Sequence, residues 1–440
     1  MTLLAESSAE TARYRVYGAR QLGDIANRYS MPADLLETIR LTAEVLPFRV
    51  NEYVLSELVD WCRVPEDPIF QLLFPQVGML DAADIARLRE LDRQGVKGRC
   101  RQDVINDIRA GLNPHPSGQK ELNVPTLDGE AVPGMQHKYK ETVLYFPSQG
   151  QSCHAFCTYC FRWAQFVGNA DLRFAATGPE QLVKYLSRHP LVSDVLVTGG
   201  DPMVMSAERL RSHLEPVLEV ETVRTVRIGT KSVAYWPNRF LTDRDADETL
   251  RFFERIVASG RQLAVMAHYS HPRELETDVA RQAIARIRAT GAVVYCQAPL
   301  IAHVNDSADV WDDMWRAELA AGAVPYYMFV ERDTGPHDYF KVPLARAVEI
   351  FHAAYRRLPG LARTVRGPVM SATPGKVAID GVSRTSTGRY FNLRMLQARN
   401  PALVGRPFRA RFDTAAAWLD DLELEADTPA DIAAAVSTKG

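Results

Sequence analysis

The stretch 142-TVLYFPSQGQSCHAFCTYCFRW-163 runs a β-branched, aromatic strand pattern straight into a loop carrying Cys153, Cys157 and Cys160. The spacing is C-x3-C-x2-C, and thiolates this close on one loop converge on a single metal centre one ligand short of four. Two readings fit. A four-iron cluster held by three thiolates keeps one iron open, by the logic that gives catalytic zinc an exchangeable position. A zinc ion completed by His154 or by a distant residue is the alternative, although the usual second ligand pair at short spacing is missing.

Downstream of this loop the same texture repeats. Apolar runs at 194-DVLVTGG-200, 225-TVRIGT-230, 262-QLAVMAHY-269, 292-AVVYCQAPL-300 and 324-VPYYMFV-330 alternate with helical patterns at 179–189, 207–220, 247–259, 277–290, 308–322 and 343–358. Six β-α units imply parallel strands joined by right-handed crossovers, with a site at the C-terminal strand ends. Six are too few for an eight-stranded barrel, so the expected fold is α/β, an incomplete (β/α)6 TIM-like barrel over 141–360. Residues 1–110 read as a helical region, with patterns at 33–46, 54–62 and 82–95. Residues 111–140, rich in Gly, Pro and Asn, read as a wrapping connection. Residues 361–440 read as an irregular extension ending in a frayed helical tail.

Composition adds bounds. A chain of 440 residues with 46% hydrophobic and 24% charged residues is globular rather than disordered. A net charge of −2 offers no global field for nucleic acid. The first residues have no basic segment followed by an apolar one, and no apolar run is long enough for a membrane span. Cys62, Cys100 and Cys296 are scattered singly, which is no disulfide framework, so the cytoplasm is the expected compartment.

With Tyr159 before the last cysteine, the loop resembles the C-x3-C-x-aromatic-C signature of the radical S-adenosylmethionine superfamily. The resemblance implies a [4Fe-4S] cluster on Cys153, Cys157 and Cys160 and S-adenosylmethionine on its open iron, cleaved to a 5′-deoxyadenosyl radical. It also implies an electron donor such as a flavodoxin or ferredoxin. Gly199, Gly200 and Asp201 in 198-TGGDP-202 resemble the motif that holds the amino group of S-adenosylmethionine; the glycines permit a tight turn and Asp201 offers an acceptor. An ordered series narrows the resemblance to the lysine 2,3-aminomutase family over about residues 60 to 380: 137-HKY-139, 160-CFR-162, 226-VRIGT-230, 268-HYSHP-272, 296-CQAPLIAHVND-306, 324-VPYY-327 and 375-GK-376.

That family carries pyridoxal 5′-phosphate as a Schiff base on a lysine after the barrel, here matched by Lys376 in 373-TPGKVA-378. This chain has one glycine there where the family's lysine mutases have a longer run. Lys138 matches a basic residue near the cofactor phosphate. Arg162 matches the arginine gripping the substrate α-carboxylate, which a guanidinium fits by bidentate bonds. His268 and Gln297 match positions lining the S-adenosylmethionine pocket. Each has a plainer alternative: a surface charge, a structural ion pair, or a satisfied polar group at a strand end.

The implied reaction is a 2,3-amino shift on a free α-amino acid, and two positions bear on which one. The lysine mutases hold the substrate's distal ammonium with two aspartates; the matching residues here are Arg332, with Asp333 beside it, and Val369. A basic residue at the first position is the pattern of the glutamate 2,3-aminomutase branch, so an acidic substrate is expected, and a one-residue slip to Asp333 would restore lysine. The alternatives are a radical enzyme of this family without pyridoxal phosphate and a non-catalytic metal-binding scaffold. No cysteine follows Cys296, so the family's C-terminal zinc site is not expected. Homo-oligomers are common in the family.

Overall fold

The computed structural model describes residues 14–113, 122–168 and 174–437. Its centre is one sheet of eleven strands in sequential order: β1 (Met135–Tyr139), β2 (Thr142–Tyr145), β3 (Asp194–Val197), β4 (Thr225–Thr230), β5 (Gln262–His268), β6 (Val293–Leu300), β7 (Val324–Val330), β8 (Arg366–Ser371), β9 (Gly375–Thr385), β10 (Gly388–Ala398) and β11 (Pro407–Arg411). Strands β2 to β8 are parallel; β1 and β9 to β11 pair antiparallel at the two ends. Strictly sequential parallel order forces each return through a helix, since a parallel neighbour cannot be reached by a hairpin.

Those helices are α6 (Glu180–Arg188), α7 (Ala207–Leu218), α8 (Ala246–Ala258), α9 (Asp278–Ala289), α10 (Ala308–Ala320) and α11 (Leu344–Arg357). Period-two alternation assigns the two faces of the sheet. Val195, Val197, Val226, Ile228, Leu263, Val265, Val294 and Cys296 are buried in the apolar core. Their neighbours Asp194, Arg227, Gly229, Tyr295 and Gln297 are half-buried on the opposite face, where the polar chemistry gathers. No described helix is long and apolar enough to cross a membrane.

The N-terminal region holds α1 (Leu22–Tyr29), α2 (Ala33–Val45), α3 (Pro68–Leu73), α4 (Ala82–Arg93) and α5 (Arg99–Gly111), plus a two-stranded ribbon of Val16–Gly18 with Arg49–Asn51. The pattern expected at 54–62 is instead one π-type turn, Val54–Leu58. Residues of this region share the main hydrophobic core.

Two expectations are corrected. The 111–140 connection ends in a true strand, β1, because Met135, Gln136 and Tyr139 pair with β2. The 361–440 extension is not irregular: β8 is a seventh parallel strand, and β8 to β11 pack Met370, Val377, Ile379, Phe391, Leu393, Met395 and Phe408 into a second core against α11. Among the described residues of the tail, Ala430–Ser437 is α-helical, as α12.

Candidate active site

The cysteine loop leaves β2 with no regular structure of its own, so its backbone polar groups need partners elsewhere. The N-terminal region supplies them. Phe156 N donates to Arg49 O at 2.9 Å and Thr158 N to Leu72 O at 2.8 Å. The Thr158 hydroxyl reaches Gln71 O at 2.9 Å. Arg49 donates to Ser152 Oγ at 2.7 Å and to Cys153 O at 3.2 Å, and Asn51 holds Tyr235 O at 2.8 Å. Residues 49–72 therefore act as a fixed backing for the loop.

Burial pushes all three thiols up, Cys160 to about 12, and a charge on Cys157 raises the other two further. Thiols so placed stay protonated until a metal centre replaces the proton. Among the described residues no three Cys, His, Asp or Glu side chains converge closely enough to hold one ion. Three thiols on one loop are a donor set of the kind that holds an iron–sulfur cluster. His154 is otherwise engaged: its Nδ1 lies 2.8 Å from Ser232 Oγ, and burial drives its pKa down to about 3.

The TGGDP turn after β3 lies directly against this loop. A Cβ on Gly199 would come within 2.3 Å of Gln151 Nε2, and one on Gly200 within 2.4 Å of Ser152 O. Glycine is required because two backbones touch here. Asp201 N completes the contact by donating to Ser152 O at 2.6 Å. The Asp201 carboxylate does not offer the free acceptor that was expected. It accepts from Met203 N, the Thr230 hydroxyl, Lys231 N, Ser232 N and the Ser232 hydroxyl at 2.7 to 3.0 Å. With five donors on two oxygens, Asp201 ties the β3 turn to the β4 turn.

Arg162 follows the last thiol and is only 8% exposed. One Nη2 bond reaches Gln165 at 2.8 Å, the guanidinium lies 4.3 Å from the Phe146 ring centroid, and Nε has no partner. Burial lowers its pKa to about 10. A buried guanidinium without a carboxylate carries an unmet electrostatic demand that an anionic ligand satisfies. His268 Nε2 sits 2.9 Å from the Tyr159 hydroxyl, which also meets Ser270 Oγ at 3.0 Å, so His268 braces the loop from behind. Gln297 pairs in register with His268 on one side and Tyr327 on the other, on the polar face.

Lys376 is the second residue of β9, and its amine points in among the rings of Tyr327, Tyr139 and Phe329, at 4.9, 5.6 and 5.9 Å from their centroids. It donates to Gln397 Oε1 at 2.8 Å. Burial, then Arg227 and Arg366, lower its pKa to about 7, with Asp194 opposing. Arg227 and Asp194 form a two-point ion pair at 2.7 and 2.8 Å. Lys138 on β1 donates to Ala372 O in the turn before Lys376; burial, Arg332, Arg399 and Lys376 bring it to about 7.

Arg332 stands between the two halves. Its guanidinium lies 5.3 Å from the ring of Phe161, next to Cys160, and it is felt electrostatically at Lys138 and Tyr139 beside the lysine turn. Arg332 is exposed to solvent, although the protein packed around it lowers its pKa. Asp333 is felt at Arg332. Sequence reasoning missed Tyr139, Tyr327, Phe329 and Gln397; the signal present was alternation, since 327 and 329 share one face of their strand.

No protein-family model matches the chain. A protein of Aquifex aeolicus provisionally named L-lysine 2,3-aminomutase is 28% identical over 391 residues, covering 89% of this chain and 91% of its own. The L-lysine 2,3-aminomutase of Acetoanaerobium sticklandii is 25% identical over 55% of this chain and 56% of its own, and that of Escherichia coli 26% identical over 57% and 69%. A solved structure of Streptococcus suis SuiB aligns with 56% of this chain and 49% of that one at 12% identity and a TM-score of 0.30, too loose to carry weight. Similarity to proteins named L-lysine 2,3-aminomutase runs along nearly the whole chain and takes in the three-thiol loop.

Proposed function

We propose that the protein is a pyridoxal phosphate-dependent 2,3-aminomutase, built on a partial barrel of β-α units, whose substrate is a free α-amino acid with an acidic side chain. The observation that carries this reading is the position of Arg332, which lies over the ring next to Cys160 and acts electrostatically on Lys138 at the lysine turn.

When bound, the cluster with S-adenosylmethionine supplies a carbon radical, and pyridoxal phosphate supplies a ring that delocalises it during nitrogen migration. The chain's own residues bind, orient and exclude water. Arg162, buried beside the thiols and without a counter-ion among the described residues, takes the substrate α-carboxylate. Lys376 presents an amine that gives up its proton near neutral pH, and the uncharged form is the one that attacks a cofactor aldehyde. Tyr139, Tyr327 and Phe329 wall it from water. Lys138, with one bond to Ala372 O, keeps donors for a phosphate.

Arg332 receives the distal group of the substrate. At about 4 Å and an effective dielectric of about 20, a guanidinium disfavours an ammonium and favours a carboxylate by roughly 4 kcal/mol each way. Val369, at the second specificity position, is fully buried and packs with Tyr327 and Ala378, so it offers no acid to a substrate ammonium. The test is to reconstitute the protein anaerobically with iron, sulfide and pyridoxal phosphate and to incubate it with glutamate or lysine. Resolving α- from β-amino acids should give β-glutamate. Rapid β-lysine formation overturns the acidic-substrate reading, and absence of both products and of 5′-deoxyadenosine overturns the mutase.

A further inference from the structure

The turn 372–375 delivers Lys376 to the site, and every carbonyl in its first three residues is accounted for. Ala372 O accepts from Gly375 N at 3.2 Å and from the Lys138 ammonium. Thr373 O accepts from Arg399 Nε at 2.9 Å, and Pro374 O accepts from Arg399 N at 3.0 Å. Arg399 is anchored at its other end, donating to Asn123 Oδ1 at 2.6 Å and Leu122 O at 3.4 Å. Asn123 in turn is registered on β1, since His137 N donates to its carbonyl at 2.8 Å. Two basic side chains thus grip one turn from two directions, and both lead back to the strap that runs from Leu122 to Tyr139.

The use of basic side chains on carbonyls is the informative point. Neither Lys138 nor Arg399 has a carboxylate partner among the described residues, so neither is held where it is by an ion pair. Ionised donors make stronger hydrogen bonds than neutral ones. Gly375 leaves the turn no latitude at its far end: a Cβ there would lie 2.0 Å from Gln397 O, and the same Gln397 receives the Lys376 amine. A single-glycine turn is stiffer than a run of glycines, and here stiffness is completed by side chains from outside it.

We propose that Arg399 and Lys138 are positioning residues: a two-sided clamp that fixes the Ala372–Gly375 turn and so aims Lys376 among the rings of Tyr139, Tyr327 and Phe329. The proposal rests on the reading of Lys376 as the cofactor-bearing lysine, and its test separates the two. Full-length protein and the variants Arg399→Met, Lys138→Met, Lys138→Arg and Asn123→Ala are compared in two measurements. Hydrogen exchange of the peptide covering residues 372–378 reads the turn directly. Borohydride trapping of added pyridoxal 5′-phosphate, located by mass spectrometry, reads how well Lys376 is aimed.

Arg399→Met and Lys138→Met should speed exchange at the turn at least tenfold and cut trapping at Lys376 at least tenfold, with iron content after reconstitution unchanged. Lys138→Arg keeps a cationic donor and should restore both. Asn123→Ala, which removes only the outer anchor of Arg399, should give an intermediate loss in a protein whose core is untouched. Wild-type exchange and trapping in both methionine variants, or equal loss in Lys138→Met and Lys138→Arg, overturns the clamp. Wild-type protein that traps nothing at Lys376 overturns the functional reading, and the exchange measurement then decides the clamp alone.

Discussion

Lys376 shows how much of a residue's character comes from its surroundings. An ordinary lysine titrates near 10.5; burial among three rings, with Arg227 and Arg366 nearby, brings this one to about 7. Between those two values the unfolded chain binds a proton that the folded one does not, so this group makes stability rise with pH across that window. Below about 7 both states are protonated and the full cost of burying the charge remains. Lys376→Met should therefore gain more in thermal midpoint at pH 6.5 than at pH 9.5; equal gains at both would mean an ordinary amine. At this scale the sequence was legible where chemistry is local. Three thiols at fixed spacing announce themselves, and so does an arginine two residues on. Asp201 was misread because its partners, Thr230, Lys231 and Ser232, lie about thirty residues away and nothing near the motif announces them. Arg399 was invisible for a related reason: it acts on carbonyl oxygens, which every residue has.

Among the elements, the β-α series was readable because each strand is a short apolar run and each helix a long amphipathic one, two periods that do not blur. The strands after α11 were not. Their alternation is interrupted by irregularities between Lys376 and Val377 and between Ile379 and Gly381, which shift the register and break the period-two signal. The TGGDP turn carries a sharper consequence. Because Gly200 lies under Ser152 with no room for a methyl group, Gly200→Ala must push away the arm that leads to Cys153. Reconstituted iron per chain should fall severalfold while far-ultraviolet circular dichroism stays unchanged. Full iron incorporation in this variant would show that the arm can yield without disturbing the thiols.

For the molecule as a whole, the question is how an eleven-stranded sheet ends. The last strand, β11, is not left bare. Arg411 N donates to Glu423 O at 2.7 Å and Glu425 N to Arg409 O at 3.0 Å, so the tail runs alongside as a covering segment. Arg409 pairs with Glu425 at 2.6 Å across the same seam. Unpaired strand edges template association, so a chain ending at residue 422 should scatter light on warming at temperatures where the full chain stays clear. Equal scattering would assign protection to the charges on β11 alone. Neither this covering nor the service of residues 49–72 to the cysteine loop could be read from composition, because both depend on which distant backbones the fold brings side by side.

That backing has a consequence in time. Residues 49–72 precede the thiols they support, whereas Lys376 follows Cys160 by 216 residues. At synthesis rates of about 5–20 residues per second, the cysteine loop and its backing leave the ribosome at least about ten seconds before the lysine exists. The chain's order therefore makes the metal-binding half of the site the elder one, and the amine arrives at a wall already begun.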